Sequence, residues 1–155
     1  MANTVYNKGK YLAAGVKLAD SSEALQLLLV TTGYTYSHDH NLVDDGSTDD
    51  PKSYEISVSG YSRQTMASKE RFEDDTNDFA GLDAGNATFS ALAAGQTIGA
   101  GVLYRYTSSG GTTSDTGQEL ISYYALTATP TNGGDIVFAV AATSDGGLLK
   151  YGSTA

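Results

Sequence analysis

The segment from Leu120 to Ala142, LISYYALTATPTNGGDIVFAVAA, decides the predicted fold. Leu120–Leu126 and Ile136–Ala142 are short runs rich in aliphatic and aromatic residues, and turn-forming residues separate them. The connection contains Pro130 and the sequence NGG at residues 132–134, which is typical of tight turns. The segment therefore predicts the clearest pair of strands in the chain, joined by a turn.

Several further short strands are predicted on either side of this segment. The run Leu25–Thr31 is short, apolar and followed by a turn signal, as expected for a buried strand. Apolar or aromatic residues alternate with other residues in Gly101–Tyr106 and in Ile136–Ala142, so each predicted strand has one apolar face. The remaining predicted strands are Tyr54–Val58 and Tyr61–Arg71 around a Ser59-Gly60 turn, Ala87–Leu92, Leu148–Tyr151 and a continuation of the sheet within Phe72–Phe79.

These strands make specific predictions about the core. Val102, Tyr104 and Tyr106 should share one strand face. Ile136, Phe138 and Val140 should be buried together, and we expect Leu28 or Val30 to be among their neighbours.

The spacing of strands and turns predicts an all-β fold, an antiparallel sandwich or barrel of seven to nine short strands. We expect one domain over residues 1–155, with a β-core at 25–151 and an N-terminal arm at 1–20. Leu12, Val16 and Ala19 have helical spacing, which predicts a short helix over Asn7–Ala19. The predicted strands do not alternate with helices, so a parallel sheet is not expected.

Charge and composition restrict the partners that can be expected. The net charge is −9, and the nine lysines and arginines are scattered along the chain. Nucleic acids and anionic membranes both require clustered basic residues, so neither is an expected partner. The polar start Met1–Lys10 does not resemble a secretory signal, and the run Leu25–Val30 is too short to span a bilayer. The sequence predicts a soluble protein made in the cytoplasm.

Residues suited to catalysis or to metal binding are few. The chain has no cysteine, and its two histidines, His38 and His40, lie side by side in an acidic loop. They could bind one ion together with Asp44 or Asp45, but a solvated polar loop is the favoured interpretation. The acidic run Glu73–Asp78 lacks the pattern of a calcium loop and is interpreted as a solvated turn. We therefore expect a non-enzymatic protein without cofactor or metal.

Tyrosine is the compositional feature that points to binding. The chain has eleven tyrosines, and tyrosine is enriched both at protein interfaces and in ordinary β-strands. Both interpretations remain open from the sequence. The polar stretches Tyr34–Pro51 and Ser108–Gln118 are predicted to be an unusually long loop and an exposed hairpin tip.

The order of several short motifs resembles that of small virion proteins encoded by tailed bacteriophages. The resemblance runs from about Tyr6 to Tyr151. It rests on YNKG at residues 6–9, LLLVTT at 27–32, HNLV at 40–43, SGYSRQT at 59–65, EDDTND at 73–78 and TNGGDI at 131–136.

This resemblance implies a structural component of the particle, a capsid decoration (cement) protein bound to the outer surface of the major capsid protein lattice. It implies no catalytic residues, and it makes the virion exterior the expected location. Such proteins form small symmetric oligomers, and we expect a homotrimer. The acidic chain fits an outer surface, because an inward-facing protein would contact packaged DNA and should be more basic.

Three questions remain open at this point. Met1–Tyr11, Tyr34–Pro51 or Ser108–Gln118 could contact the shell, since such segments can order on a partner. A tail, neck or fibre component of the particle is the first alternative function. A carbohydrate-binding module or a metal-dependent enzyme is the second.

Overall fold

A computed structural model of the chain describes residues 3–8, 18, 20, 23–77, 79–107 and 114–152. These residues form short strands and one-turn 3-10 helices, which confirms the predicted all-β class. The strands are β1 Asn3–Val5, β2 Ala24–Thr31, β3 Gln64–Thr65, β4 Glu70–Asp74, β5 Phe79–Asp83, β6 Ala87–Phe89, β7 Thr97–Tyr106, β8 Glu119–Pro130, β9 Ile136–Phe138 and β10 Leu149–Gly152. The 3-10 helices are Pro51–Tyr54, Asp115–Gly117 and Thr143–Asp145. The helix predicted over Asn7–Ala19 falls largely outside the described residues.

The main sheet has five antiparallel strands in the order β1-β8-β7-β2-β3. Its centre is the predicted strand Gly101–Tyr106, now part of β7, which pairs with β2 on one side and β8 on the other. Val102 lies opposite Leu28 of β2 and Tyr123 of β8. Both faces of β2 are covered, which explains its continuous apolar run.

The two faces of the main sheet belong to separate hydrophobic clusters. Leu25, Leu27 and Leu29 enter one cluster, while Leu28 and Val30 enter the other. This division follows from the two-residue period of a strand. Val102, Tyr104 and Tyr106 share the second face, as predicted.

Two smaller sheets contribute to the first cluster. One has the order β10-β5-β4 and provides Leu82 and Leu149, and the other pairs β6 with β9 and provides Phe89 and Phe138. The result is a sandwich-like arrangement in which these sheets lie against the main one. Phe138 packs over Gly101, where an added Cβ would lie 3.1 Å from the Phe138 ring.

The predicted pairing of Leu120–Leu126 with Ile136–Ala142 is wrong, although both segments contain strands. β8 pairs with β7 and β1, whereas β9 pairs with β6. The connection does not close a hairpin, because its backbone is bonded elsewhere: Thr131 N–H donates to Gln96 O at 2.8 Å and Gly133 N–H to Leu92 O at 2.7 Å. These bonds take the chain across to the small sheet.

The prediction that Leu28 or Val30 lies near Phe138 is also wrong, because the residues of β2 in the cluster of Phe138 are one position away. Phe138 is buried, with Ile136 and Val140 half-buried against the same cluster. That cluster contains Leu27 and Leu29, while Leu28 and Val30 lie on the opposite face. A one-residue step along a strand reverses the face.

The predicted hairpin around Ser59-Gly60 is largely absent from the described structure. Residues 55–63 are irregular, with a single bridge between Glu55 and Val30, and strand structure resumes only in the two-residue β3. A side chain replaces the expected ladder, because Leu29 N–H donates to the Tyr61 hydroxyl at 3.1 Å.

The N-terminal segment is partly integrated into the sheet. Asn3–Val5 form the edge strand β1 against β8, and the Tyr6 side chain is fully buried. Within the predicted N-terminal arm over residues 1–20, backbone pairing and burial tie residues 3–6 to the core.

Candidate functional site

A group of aromatic residues covers the second face of the main sheet. Its buried aliphatic members include Leu28, Val30 and Val102. We call the aromatic part the tyrosine cluster, which consists of Tyr6, Tyr34, Tyr36, Tyr54, Tyr104, Tyr106 and Tyr123. Seven of the eleven tyrosines thus lie on one face of one sheet.

Three parts of the chain bring these tyrosines together. Alternation in β7 and β8 directs Tyr104, Tyr106 and Tyr123 to this face. The chain leaving β1 adds Tyr6, and the stretch between β2 and β3 adds the other three. The clustering therefore depends on a loop folding back over a sheet face.

The long polar loop predicted over Tyr34–Pro51 is a packed cover for the sheet. Tyr34, Val43, Asp50 and Pro51 are buried within it. Asp50 caps the following 3-10 helix by accepting a hydrogen bond from Ser53 N–H at 2.9 Å. The side chains of this loop complete the second core without a partner, and its contact with the shell stays a prediction.

A chain of polar groups runs through the tyrosine cluster. The hydroxyls of Tyr6 and Tyr34 lie 2.9 Å apart, and the Tyr34 hydroxyl lies 2.9 Å from Nδ1 of His40. Nε2 of His40 is 3.8 Å from a carboxylate oxygen of Asp49. Three buried polar side chains thereby satisfy one another inside an apolar layer.

The hydroxyls of Tyr6 and Tyr34 are held in their protonated form. Burial raises the pKa of Tyr6 above its usual value, and the neighbouring Tyr34 adds to that shift. Burial likewise raises the pKa of Tyr34, although its hydrogen bond with Tyr6 acts in the opposite direction. Both residues are therefore protonated at neutral pH.

The outer part of the cluster reaches the protein surface. We call Tyr36, Tyr54 and Tyr123, which are all half-buried, the tyrosine rim. Their rings surround the buried Tyr34, with centroids 5.9 Å from Tyr34 to both Tyr54 and Tyr123, and 5.3 Å from Tyr36 to Tyr123. Interplanar angles of 36° to 55° tilt the rings into a corrugated surface and not a flat platform.

The two histidines that were considered for metal binding are held apart by their surroundings. The side chain of His38 is 65% exposed and lies 3.3 Å from Asp39. His40 is only 8% exposed, and its Nδ1 is engaged by Tyr34. The expectation of a solvated loop is therefore wrong for His40, because the ring is part of the second core.

The acidic residues near these histidines accept hydrogen bonds from the backbone of their own turns. Asp44 accepts a hydrogen bond from Gly46 N–H, and Asp45 accepts one from Ser47 N–H, each at 2.9 Å. Across the part of the chain that the structure describes, no three histidine, aspartate or glutamate side chains are grouped to hold a metal ion. Within the second acidic run, Asp74 accepts hydrogen bonds from the backbone of Thr76 and Asn77.

An ionic network lies beside the tyrosine cluster. Arg63 binds both Glu55 and Asp115, and Lys52 binds the same two carboxylates at 3.2 and 3.0 Å. Arg63 also lies over the ring of Tyr104, 5.3 Å from its centroid. This network fastens the loop cover and the segment before β8 to the main sheet.

The predicted hairpin tip Ser108–Gln118 is anchored where the structure describes it. Residues 108–113 lie outside the described part, but Asp115 joins the ionic network and Gln118 is 2% exposed. The Gln118 side chain accepts a hydrogen bond from Thr107 N–H and donates one to Thr107 O, at 2.8 and 3.0 Å. Because the whole segment is polar, its sequence does not distinguish Asp115 and Gln118, which anchor it, from its exposed residues.

Sequence reasoning missed two features of this site. The Arg63 network joins Arg63 to Asp115, 52 positions away, and has no local sequence pattern. The burial of His40 has a weak signal, since Tyr34 and Tyr36 precede it and Leu42 and Val43 follow it in an otherwise mostly polar loop.

No known protein family, curated protein or solved structure matches the chain. Among the described residues, no helix is long and apolar enough to cross a membrane. The site offers an aromatic surface, the tyrosine rim, supported from below by the buried and hydrogen-bonded side chains of Tyr6, Tyr34 and His40. Such a surface is suited to binding.

Proposed function

We propose that this protein is a non-enzymatic decoration (cement) protein of a tailed-phage capsid, bound to the outer surface of the major capsid protein lattice. The observation that carries the proposal is the tyrosine rim, a half-exposed aromatic surface on a rigid β-domain. The resemblance of its motif order to small phage virion proteins supplies the identity of the partner. The network of side chains around the rim has a structural role and not a catalytic one.

The rim has the physical properties of a binding surface. Tyrosine combines a large apolar ring with a polar tip, and it is enriched among residues that dominate binding energy. The rings of Tyr36 and Tyr123 are held by Tyr34 and Tyr6, which are themselves hydrogen-bonded. A surface fixed in this way loses little conformational entropy when it binds.

A net charge of −9 is compatible with the exterior of a particle. It favours solubility and disfavours contact with packaged DNA. A symmetric oligomer, with a trimer as our proposal, would multiply weak contacts with neighbouring capsid subunits through avidity. Particles lacking the protein should assemble but lose tolerance to heat or low salt.

The test is to count the protein on intact particles and to rebind it to particles that lack it. Hundreds of copies spread over the shell support the proposal. A few copies confined to one vertex or to the tail would contradict it and favour the tail, neck or fibre alternative. Binding of the isolated domain to glycans, with none to shells, would favour the carbohydrate-binding alternative.

The contact surface is best tested by point substitution. Deleting residues 1–11 would remove β1 and the buried Tyr6, so loss of shell binding could reflect damage to the sheet. We instead propose Tyr36→Ser and Tyr123→Ser, and as control Val137→Ser, whose side chain is 55% exposed on β9. Shell binding should fall in the rim variants and remain in the control, while an equal fall in both would exclude the rim as the contact.

A further inference from the structure

We infer that the tyrosine rim binds an arginine-bearing segment of the partner protein. This inference rests on the proposed function, in which the partner is a capsid subunit. It concerns the chemistry that the partner must present. The argument uses the charges around the rim, the position of the nearby cations and the shape of the aromatic surface.

Two exposed carboxylates lie in the same loop as Tyr36 of the rim. The side chains of Asp39 and Asp49 are 77% and 73% exposed. Asp49 lies 3.8 Å from the ring of His40, which is in contact with Tyr34. Asp39 is three residues from Tyr36, whose pKa is raised by burial and, to a smaller extent, by the charge of this carboxylate.

Among the described residues, the lysines and arginines with ion pairs near this face bind other carboxylates, and Lys8 is paired with Glu119 at 2.7 Å. Lys52 and Arg63 are both bound to Glu55 and Asp115, which makes that network neutral on its own. The ion pairs that the structure records for Asp39 and Asp49 are with histidines and not with lysine or arginine. The surface at the rim therefore combines aromatic rings with negative charge.

Arginine fits both properties at once. Its planar guanidinium stacks on aromatic rings and binds a carboxylate through two parallel hydrogen bonds. The rings of Tyr36 and Tyr123, 5.3 Å apart and tilted by 36°, offer faces for such a plane, and the exposed Asp39 is three residues from Tyr36. A contact between the rims of two copies would bring exposed carboxylates such as Asp39 and Asp49 together, so the copies of the proposed trimer would meet through another surface.

The experiment measures the binding of the full chain to three short peptides with the sequences GRGRGRG, GKGKGKG and GEGEGEG. Chemical shifts of the rim residues report where each peptide binds, and titration gives its affinity. We expect the arginine peptide to shift the rim residues and to bind at least threefold more tightly than the lysine peptide. The glutamate peptide should not bind.

The variant Asp39→Asn/Asp49→Asn should weaken binding of the arginine peptide about fivefold. The matched control is Glu73→Gln/Asp75→Asn, which removes one exposed charge near the end of β4 and one from the turn that follows it. Tyr36→Phe should retain binding and Tyr36→Leu should lose it, because the contact needs the ring. If the double variant is less stable because of the His40 contact, Asp39→Asn alone provides the same test.

Equal weakening in the control variant, equal affinity for lysine and arginine, or shifts away from the rim would overturn the inference. Its failure can be distinguished from failure of the proposed function. If shells bind the wild type and the Asp39→Asn/Asp49→Asn variant equally, the function stands and the arginine partner is excluded. If the arginine peptide binds the rim but shells do not bind, the surface stands and the decoration role is excluded.

Discussion

Arg63 binds Glu55 through two parallel hydrogen bonds, from Nε to Oε1 at 2.7 Å and from Nη2 to Oε2 at 2.6 Å. The Glu55 side chain is 9% exposed and the Arg63 side chain 19%. Arg63 also donates to Asp115, at 2.5 and 3.1 Å, so one guanidinium joins three separate segments. This pair helps to fix the stretch between β2 and β3, which carries three of the seven residues of the tyrosine cluster.

Glu55→Gln should destabilise the protein by about 2–3 kcal/mol, since it leaves Arg63 partly buried with only one carboxylate partner. Denaturant unfolding measures the change in the free energy of unfolding. Glu73→Gln removes an exposed carboxylate of the same type and serves as the control, with an expected change within about 0.5 kcal/mol. Similar losses in the two variants would contradict a special role for the Arg63 pair.

Acid should weaken the fold through the same network. Burial by itself raises the pKa of Glu55, but hydrogen bonds from Arg63 and Tyr61 outweigh it and hold the pKa below the ordinary 4.5. Asp115 is likewise lowered from its ordinary 3.8, since bonds with Arg63 and Lys52 outweigh its burial. A lowered pKa in the folded state gives stability that is present above the unfolded value and lost as the pH falls through the folded value.

The melting temperature should therefore decline as the pH is lowered from about 5 through 4.5 and 3.8. Glu55→Gln should show a shallower decline over this window, because one of the two carboxylates has been removed. A decline of the same steepness in the variant would place the acid sensitivity elsewhere. Thermal unfolding at a series of pH values provides the measurement.

Tyr34→Phe should cost about 1–3 kcal/mol, because it removes the hydroxyl shared by Tyr6 and His40 and leaves both buried groups without it. Tyr106→Phe is the matched control on the same sheet face, where the ring is half-buried. The expected change for the control is within about 0.5 kcal/mol. Chemical denaturation of both variants measures the change in the free energy of unfolding. No change for Tyr34→Phe would mean that water replaces the hydroxyl.

Phe138→Ala should destabilise the protein by about 3–5 kcal/mol, the usual range for a buried phenylalanine. Phe138 is 2% exposed and meets the ring of Tyr124 edge-on at a centroid distance of 5.1 Å. Val137→Ala, at the exposed neighbouring position, should change stability by less than about 0.5 kcal/mol. A loss below about 1 kcal/mol for Phe138→Ala would show that this face is not packed as described.

Lys69 should be needed to hold the segment that precedes β2. Its ammonium donates hydrogen bonds to the backbone carbonyls of Leu18, Asp20 and Glu23. Lys69→Ala removes these bonds and should cost about 1–3 kcal/mol. Added propylammonium should restore part of the melting temperature in this variant and leave the wild type unchanged, whereas sodium at the same concentration should have no such effect. Equal responses to the two cations would contradict specific donation to these carbonyls.

Several strands could be predicted because their signals are local. The apolar run of β2 and the alternation in β7 indicate strands within a few residues, and both are confirmed. The hairpin predicted around Ser59-Gly60 is wrong because the interactions that shape this segment are not local. There, side-chain bonds with Leu29 and Arg63 replace backbone pairing, and those partners are distant in sequence.

The sequence by itself determined the all-β class, the positions of the strongest strands and the wealth of tyrosine on an acidic chain. Only the tertiary structure decided that β8 pairs with β7 and not with β9, and that His40 is buried under Tyr34. The physical reason is range. Strand propensity acts between neighbouring residues, whereas pairing, burial and the hydrogen bond between Tyr6 and Tyr34 join residues that only the completed fold brings together.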